Sequence, residues 1–464
     1  MHPLVVKHLL LPAHERLLGR PTAAYLRLLE ESQWWPLDRL LALQQSKLRR
    51  LLRHAWAKCP FYRSRIEEAG VDVDRVVVPG PRRDSRSSLE GGHGSSQCFS
   101  ALPMLSKADI RANAADMVDP TVRGGLHPYT TGGSSGDPLI FKIDRSRQAA
   151  DQAARARSRR WFGIDLGQRE LYLWGAPVEL AAQDRLKGIR DRLTNQRLLS
   201  AFKMTPQRMS AYLDEIERFD PVHIFGYPSS LVRLIRHAQH GGRSLRTASL
   251  KAVFTTGELL PAGDRDLIAQ AVEVPVADGY GSREAGFIAH QCPQGRYHIT
   301  MESMIVELLD GEGRAVHGDE AGEVTITHLD ALGMPFIRYR TGDIARWGEG
   351  DCPCGRDLLS LEIIQGRKTD MLRTTDGGFA HALSVIYCLR DEPAIREFKV
   401  VQRRNLHLDV SVVADDTFGQ ARKERVCRML GRRIGQGVAV RLSLVDQIPP
   451  DPSGKHRYVV CEAR

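Results

Sequence analysis

Tyr129-Thr130-Thr131-Gly132-Gly133-Ser134-Ser135-Gly136-Asp137-Pro138 is the stretch on which the reading of this chain turns. Its glycines leave the backbone free to aim N–H groups inward, and Thr130, Thr131, Ser134 and Ser135 add hydroxyl donors without bulk. Such a loop can surround phosphate oxygens. A Walker loop would end in Gly-Lys-Ser/Thr, and Gly136-Asp137-Pro138 departs from that, which removes the ordinary P-loop kinase or ATPase arrangement. Taken alone, the stretch also reads as a flexible Gly/Ser turn. Near the other end of the chain, Pro452-Ser453-Gly454-Lys455-His456-Arg457-Tyr458 offers a lysine among small residues. A cation on a movable segment is what a triphosphate requires when a weak nucleophile is to attack its α-phosphorus.

Working outward from the loop, strand-like and helix-like segments alternate: Glu170 to Trp174, Asp184 to Arg192, Thr205 to Phe219, His223 to Phe225, Ser229 to His240, Lys251 to Thr255 and Gly263 to Gln270. That alternation predicts an α/β fold with a largely parallel sheet covered by helices. From Ser303 to Arg346 the pattern changes to short alternating runs, expected as antiparallel strands of a smaller barrel-like region. The opening, residues 1–70, reads as helical, with Leu40, Leu43, Leu48, Leu51 and Leu52 at helical spacing. Residues 79–97 hold almost nothing that could enter a core and are expected as an exposed, flexible loop. The character changes again near Gly366, so residues 1–366 are expected to form a large N-terminal domain and 367–464 a small, mobile α+β lid.

Bulk properties narrow the class. A chain of 464 residues with 42% hydrophobic content is expected to form two domains, each with its own core. The formal charge of +10 is spread as single arginines among acids, without an aromatic-interleaved basic array, so a nucleic-acid partner is not expected. Met1 to Pro12 is broken by His2, Lys7, His8 and two prolines, unlike a signal peptide, and no run is apolar enough to span a bilayer. The expectation is a cytoplasmic protein without a membrane partner, for which a homodimer stays open. Eight unevenly spaced cysteines argue for scattered thiols plus one metal cluster, not a disulfide framework.

Two further segments carry chemistry. In Asp278-Gly279-Tyr280-Gly281-Ser282-Arg283-Glu284, glycines permit close approach of a flat ligand, Tyr280 offers a stacking face, and Glu284 can hold Mg²⁺. In Arg340-Thr341-Gly342-Asp343, a carboxylate after a tight turn suits two vicinal ribose hydroxyls. Each alone is also an ordinary strand end or turn.

Together, in this order, the three segments resemble the adenylate-forming superfamily of acyl-CoA synthetases, adenylation domains and luciferases. Thr255-Thr256-Gly257-Glu258 resembles its adenine contact, and Gly366-Arg367 with Asp370 resembles its hinge. Leu102-Pro103-Met104-Leu105-Ser106-Lys107, Gly226-Tyr227-Pro228-Ser229 and Gly454-Lys455-His456-Arg457-Tyr458 are similar to the branch of phenylacetate-coenzyme A ligase and CapK-type proteins. The resemblance implies an AMP-forming acid–thiol ligase. A carboxylic acid, aryl or arylacetic, is activated with ATP and Mg²⁺ to an acyl-adenylate and then transferred to coenzyme A. Transfer to a carrier-protein thiol or an amine, or a catalytically inactive nucleotide-binding relative, are the alternatives.

By the same resemblance Lys455 and Glu284 are catalytic, and Thr130 to Gly136, Gly257, Glu258, Tyr280, Gly281, Ser282, Asp343 and Arg367 bind ATP. Asp370 is the hinge, and Tyr227, Pro228 and Gly279 wall the acid pocket. Here Thr369 stands where the family commonly has a second hinge acid. Finally, Cys292, His298, Cys352 and Cys354 form a Cys₃His set suited to a closed, structural zinc site, with free thiols as the alternative. Similar residues recur in zinc-binding members of this branch.

Overall fold

The structure, a computed structural model, describes all residues except 78–98, 131–138, 175–189, 202–203, 366–370, 376–378, 382–384, 387, 390–391, 436, 450–457 and 464. The loop expected at 79–97, most of the phosphate loop, Arg367, Asp370 and Lys455 therefore lie outside the described residues. The chain divides into two compact units, Met1–Ile364 and Gln365–Arg464, against the 366/367 boundary expected from the sequence.

The first unit is organised by a single 11-stranded sheet. A hairpin of β1 (Leu126–Thr130) and β2 (Ile140–Asp144) precedes it. Strands β3 (Glu170–Trp174), β4 (Gln196–Ser200), β5 (His223–Gly226), β6 (Ala252–Thr256) and β7 (Val276–Ser282) pair in parallel, in the order β4-β3-β5-β6-β7. Parallel strands need crossovers, and the Pro206–Phe219, Pro228–His240 and Ala262–Val272 helices supply them. The first two have apolar faces: Met209, Leu213 and Ile216 on one and Leu231, Leu234 and Ile235 on the other join Leu171, Ile224 and Val253 in one core cluster.

Beyond β7 the sheet turns antiparallel through β8 (Gly286–Gln291) and β9 (Tyr297–Ile299). From β9 it runs on through β13 (Ser360–Gln365), β12 (Tyr339–Trp347) and β11 (Gly322–His328) to an edge at β10 (Met304–Leu309). The region expected as a smaller barrel is thus continuous, by hydrogen bonding, with the parallel half. Period-2 alternation reveals strands but not whose edge they join.

The helical opening is present as the Thr22–Ser32, Leu37–Lys58 and Pro60–Glu68 helices. Leu40, Leu48, Leu51, Leu52 and Ala55 bury into the same core as Ile299, Met304, Ile326 and Tyr339. A buried ionic network ties this layer to the sheet. The Arg157 guanidinium meets Glu302 Oε1 at 2.6 Å, and Ser32 Oγ donates to the same oxygen at 2.6 Å. All three residues are buried, so removing one partner leaves a charge without water or counter-ion. Glu302→Ala is expected to lower unfolding free energy by about 3–5 kcal/mol. Chemical denaturation of wild type and variant checks this, and a loss below about 1 kcal/mol would show that the pair is solvated.

The second unit holds a hairpin of β14 (Met371–Arg373) and β15 (Phe379–His381) and a four-stranded sheet. That sheet comprises β16 (Ile395–Gln402), β17 (Leu408–Ala414), β18 (Val440–Leu444) and β19 (Val459–Cys461) in the order β18-β17-β16-β19. The Gln420–Ile434 helix packs Val426, Leu430 and Ile434 onto it, completing the expected α+β unit.

Candidate active site and metal centre

Because β3, β5, β6 and β7 are parallel, their carboxyl ends lie along one edge, where open α/β sheets bind ligands. At those ends stand Trp174, Gly226-Tyr227-Pro228, Thr256-Gly257-Glu258 and Gly279 to Ser282. These expected nucleotide and pocket residues are therefore neighbours in space as well as in pattern. Tyr227 is buried and stacks on Trp174 with ring centroids 4.0 Å apart. Gly257, at φ +80, lies against that stack, since a Cβ there would be 3.1 Å from Tyr227. One oxygen of Glu258 accepts the Ser229 N–H at 3.1 Å, at the start of the Pro228–His240 helix. A carboxylate is favoured at a helix N-terminus.

Tyr280 and Asp343 meet directly. The phenol donates to Asp343 Oδ2 at 3.0 Å, and both residues are buried. Thr341-Gly342-Asp343, read from the sequence as a tight turn, lies at an irregularity inside β12: its register against β11 slips between Glu323 and Thr325. Gly342 takes φ +79 there, and Thr341 Oγ1 accepts the Asp343 N–H at 3.1 Å while donating to Val324 O. An irregularity of this kind re-aims one side chain without ending the strand.

The turn after β7 is held from three directions. Arg147, buried on the Arg145–Arg160 helix, donates from Nη2 to the carbonyls of Arg283 at 3.0 Å and Glu284 at 2.6 Å. Ser282 Oγ accepts the Ala285 N–H at 3.0 Å. Arg283 Nη1 donates to Thr130 O at 2.8 Å, so the turn grips the stem of the Gly/Ser loop. Gly281 can be nothing else: a Cβ would fall 2.3 Å from Gly286 O. The Glu284 side chain is only 5% exposed and its carboxylate lies 3.1 Å from Lys107 Nζ. The carboxylate thus already has a cationic neighbour, with which any bound metal ion would have to share it.

Below Tyr280, Asp278 accepts Thr255 Oγ1 at 2.5 Å and the Tyr297 phenol at 2.8 Å. Burial pushes its carboxyl up to about 6 against these donors. A narrow cavity of about 10 Å³ lies beside it, lined by Gly279, His290, Phe225 and Phe254 and by Arg155 and Arg159 of the Arg145–Arg160 helix.

The four metal-ligand candidates converge. Their ligand atoms all lie within 4.8 Å of one another, with Cys292 Sγ 3.7 Å from Cys352 Sγ and Cys354 Sγ 3.2 Å from His298 Nε2. Two thiolates on tetrahedral zinc stand about 3.8 Å apart, as Zn–S bonds of about 2.3 Å require. His298 Nδ1 lies 3.0 Å from Leu358 O; donation to that carbonyl leaves Nε2 facing the sulfurs, the usual orientation of a ligating imidazole. The turn that follows is anchored too: Arg356 lies 4.6 Å from the centroids of both Trp34 and Trp161 and donates to Gln33.

Comparison with known proteins places the chain. A solved structure of 2-hydroxyisobutyryl-CoA ligase in the postadenylation state, in complex with R3-HIB-AMP, superposes with a TM-score of 0.71 over 92% of this chain and 91% of the other, at 22% identity. The fold is that of the adenylate-forming CoA ligases. Residues 372–462 match the CapK C-terminal domain. In sequence the chain is 23% identical to Protein CapK of Staphylococcus aureus over 81% of this chain and 83% of that protein. It is 24% identical to phenylacetate-coenzyme A ligase of Thermus thermophilus over 93% of this chain and 98% of that enzyme.

Within this adenylate-forming fold, the structure brings together Thr130, Tyr227, Pro228, Gly257, Glu258, Gly279 to Ser282, Glu284 and Asp343 in the first unit. Arg147, Lys107, Arg283, Trp174 and His290 were not singled out for roles from the sequence. Each acts through a partner on another element, and no local spacing rule reports such a partner. The one available signal was the density of arginines from Arg145 to Arg160 on a helix whose alanines are buried.

Proposed function

We propose that this protein activates a carboxylic acid with ATP, forming an acyl-adenylate and pyrophosphate, and then transfers the acyl group to coenzyme A with release of AMP. The observation that carries this reading is the joining of three expected nucleotide segments in one place: Tyr280 bonded to Asp343, and Arg283 bonded to the stem of the Gly/Ser loop. The relatives named CapK and phenylacetate-coenzyme A ligase support it across most of the chain.

In this reading Thr130 to Gly136 hold the β- and γ-phosphates, Tyr280 and Glu258 face the adenine, and Asp343 with Arg367 accepts the ribose hydroxyls. The acid lies against Tyr227, Pro228 and Gly279 with its carboxylate toward the α-phosphorus. Both reactants are anions, so Lys455 contributes most where their charges meet in the transition state. The carboxylate oxygen bonds to phosphorus as the bond to the β-phosphate oxygen breaks, and pyrophosphate leaves. The second unit then turns about Asp370, withdrawing Lys455 and admitting the thiol. The thiolate attacks the acyl carbon, and AMP departs with the bridging oxygen. A protein using ATP and coenzyme A in this way belongs in the cytoplasm.

Glu284 would hold the Mg²⁺ that screens the phosphate charges. Glu284→Gln is expected to raise the Mg²⁺ concentration for half-maximal pyrophosphate exchange by about 10- to 100-fold, the scale on which metal-site groups act. Calorimetric ATP binding should lose its Mg²⁺ dependence in parallel. An unchanged Mg²⁺ requirement in both assays would assign Glu284 a purely structural pairing with Lys107. The Cys292, His298, Cys352 and Cys354 cluster would hold zinc as a structural tie, because four protein ligands leave no open position for chemistry.

ATP–pyrophosphate exchange against a panel of carboxylic acids, followed by mass analysis of thioesters formed with coenzyme A, tests the assignment. Exchange with one acid class and a matching coenzyme A thioester is the expected outcome. Exchange without a thioester would favour a carrier-protein thiol or an amine as acceptor.

A further inference from the structure

His290 sits on β8 directly opposite Gly279 of β7 in the sheet register. Cross-strand partners project on the same face, and Gly279 projects nothing, so a space opens beside the imidazole. A Cβ on Gly279 would stand 3.4 Å from His290 Cδ2 and 3.9 Å from Nε2. His290 is 6% exposed, and its Nε2 is buried with no hydrogen-bond partner. Other polar residues lining the space are engaged: Asp278 accepts from Thr255 and Tyr297, Gln291 accepts from Arg265 and the Asp278 N–H, and Arg159 pairs with Glu170. A buried ring nitrogen left open beside a glycine is a binding position waiting for a partner.

Charge and size define that partner. A distal carboxylate carries two oxygens and exceeds the space, and an ammonium would face Arg155 and Arg159, which line it. A single uncharged hydroxyl avoids both conflicts. The cavity of about 10 Å³ admits a single oxygen-sized group, not a ring. Phe225 and Phe254 provide apolar walls for what lies behind that group.

We propose that His290 selects the acid: its Nε2 hydrogen-bonds an uncharged hydroxyl at the far end of the acyl group, so the preferred substrate is a hydroxy-substituted carboxylic acid. This rests on the assignment of acid activation made above, with Gly279 beside the acid. A site built around such a bond discriminates strongly, because an acid lacking the hydroxyl leaves the ring nitrogen unpaired in the complex.

Pyrophosphate exchange with matched pairs tests it, using 4-hydroxyphenylacetate against phenylacetate, 4-hydroxybenzoate against benzoate, and 4-hydroxybutyrate against butyrate. Wild type should favour the hydroxylated member of at least one pair by about 10-fold or more in kcat/KM. His290→Leu should bring that pair near parity while His290→Gln retains the preference. Gly279→Ala, whose new methyl meets the ring at ordinary contact distance, should also remove it and serves if the leucine variant fails to fold. The proposal is overturned if wild type favours the plain acids or neither member. It is equally overturned if the preference survives in both His290→Leu and Gly279→Ala, which would mean that the space holds only an ordered water. Exchange with no acid at all would remove the parent assignment, and this inference with it.

Discussion

Lys455→Ala abolishes the first half-reaction and spares the second: ATP–pyrophosphate exchange should fall by on the order of 10²–10³-fold or more, the loss seen when one preorganised charge-stabilising group is removed. Thioester formation from a supplied acyl-adenylate should continue near the wild-type rate. The asymmetry follows from where charge concentrates. Carboxylate and triphosphate repel until a cation stands between them, whereas the acyl-adenylate carries an activated, neutral carbonyl that a thiolate attacks without such help. Lys455 follows Pro452-Ser453-Gly454, small residues suited to a segment that must move between steps. Lys455→Arg keeps the charge but not the compact ammonium, and should recover only part of the exchange rate. Equal loss of both half-reactions in Lys455→Ala would show that the residue supports the fold instead of the chemistry.

Cys352→Ser is expected to cause a large loss of stability. Purified wild type should contain zinc in a one-to-one ratio with the chain, and the variant should contain little. Without the metal, Cys292 and His298 stay buried around a missing partner, while the Cys352 to Arg356 turn stays clamped to Trp34 and Trp161. The destabilisation should reach about 4 kcal/mol, the range into which loss of a structural metal falls. Pyrophosphate exchange by the fraction that remains folded should be near normal, because four protein ligands leave a structural metal no open position for chemistry. Metal-free wild type with unchanged thermal stability would assign the four residues as ordinary buried thiols and an imidazole.

Much of this fold could be read before it was seen, and the exceptions have definite causes. Apolar runs separated by amphipathic segments announce parallel strands and crossover helices, since both faces of such a sheet are covered. Gly226 at the end of β5, Gly257 just after β6 and Gly281 near the end of β7 mark strand ends where a ligand can approach the backbone. The cysteine and histidine set was legible because few other arrangements need those residue types together. Sheet continuity was not legible: β9 pairs with β13 across some sixty residues of chain, Tyr297 opposite Leu361, and nothing local records that choice. Thr341-Gly342-Asp343 has the composition of a turn, and only pairing with β11 makes it a bend within a strand. The supports of the site were hidden for the same reason. Arg147 reaches carbonyls 136 and 137 residues away, and Lys107 reaches Glu284 from another element. His290 reads as one more strand residue until Gly279 is found opposite it.

The central claim is that an acid's own oxygen becomes bonded to the α-phosphorus of ATP. It is tested most directly by supplying an acid labelled in both carboxylate oxygens with oxygen-18, together with ATP, Mg²⁺ and coenzyme A, and weighing the products. One labelled oxygen should appear in AMP, none in pyrophosphate, and the thioester should retain the other. Label in inorganic phosphate with formation of ADP, or thioester formed with unlabelled AMP, would contradict the account.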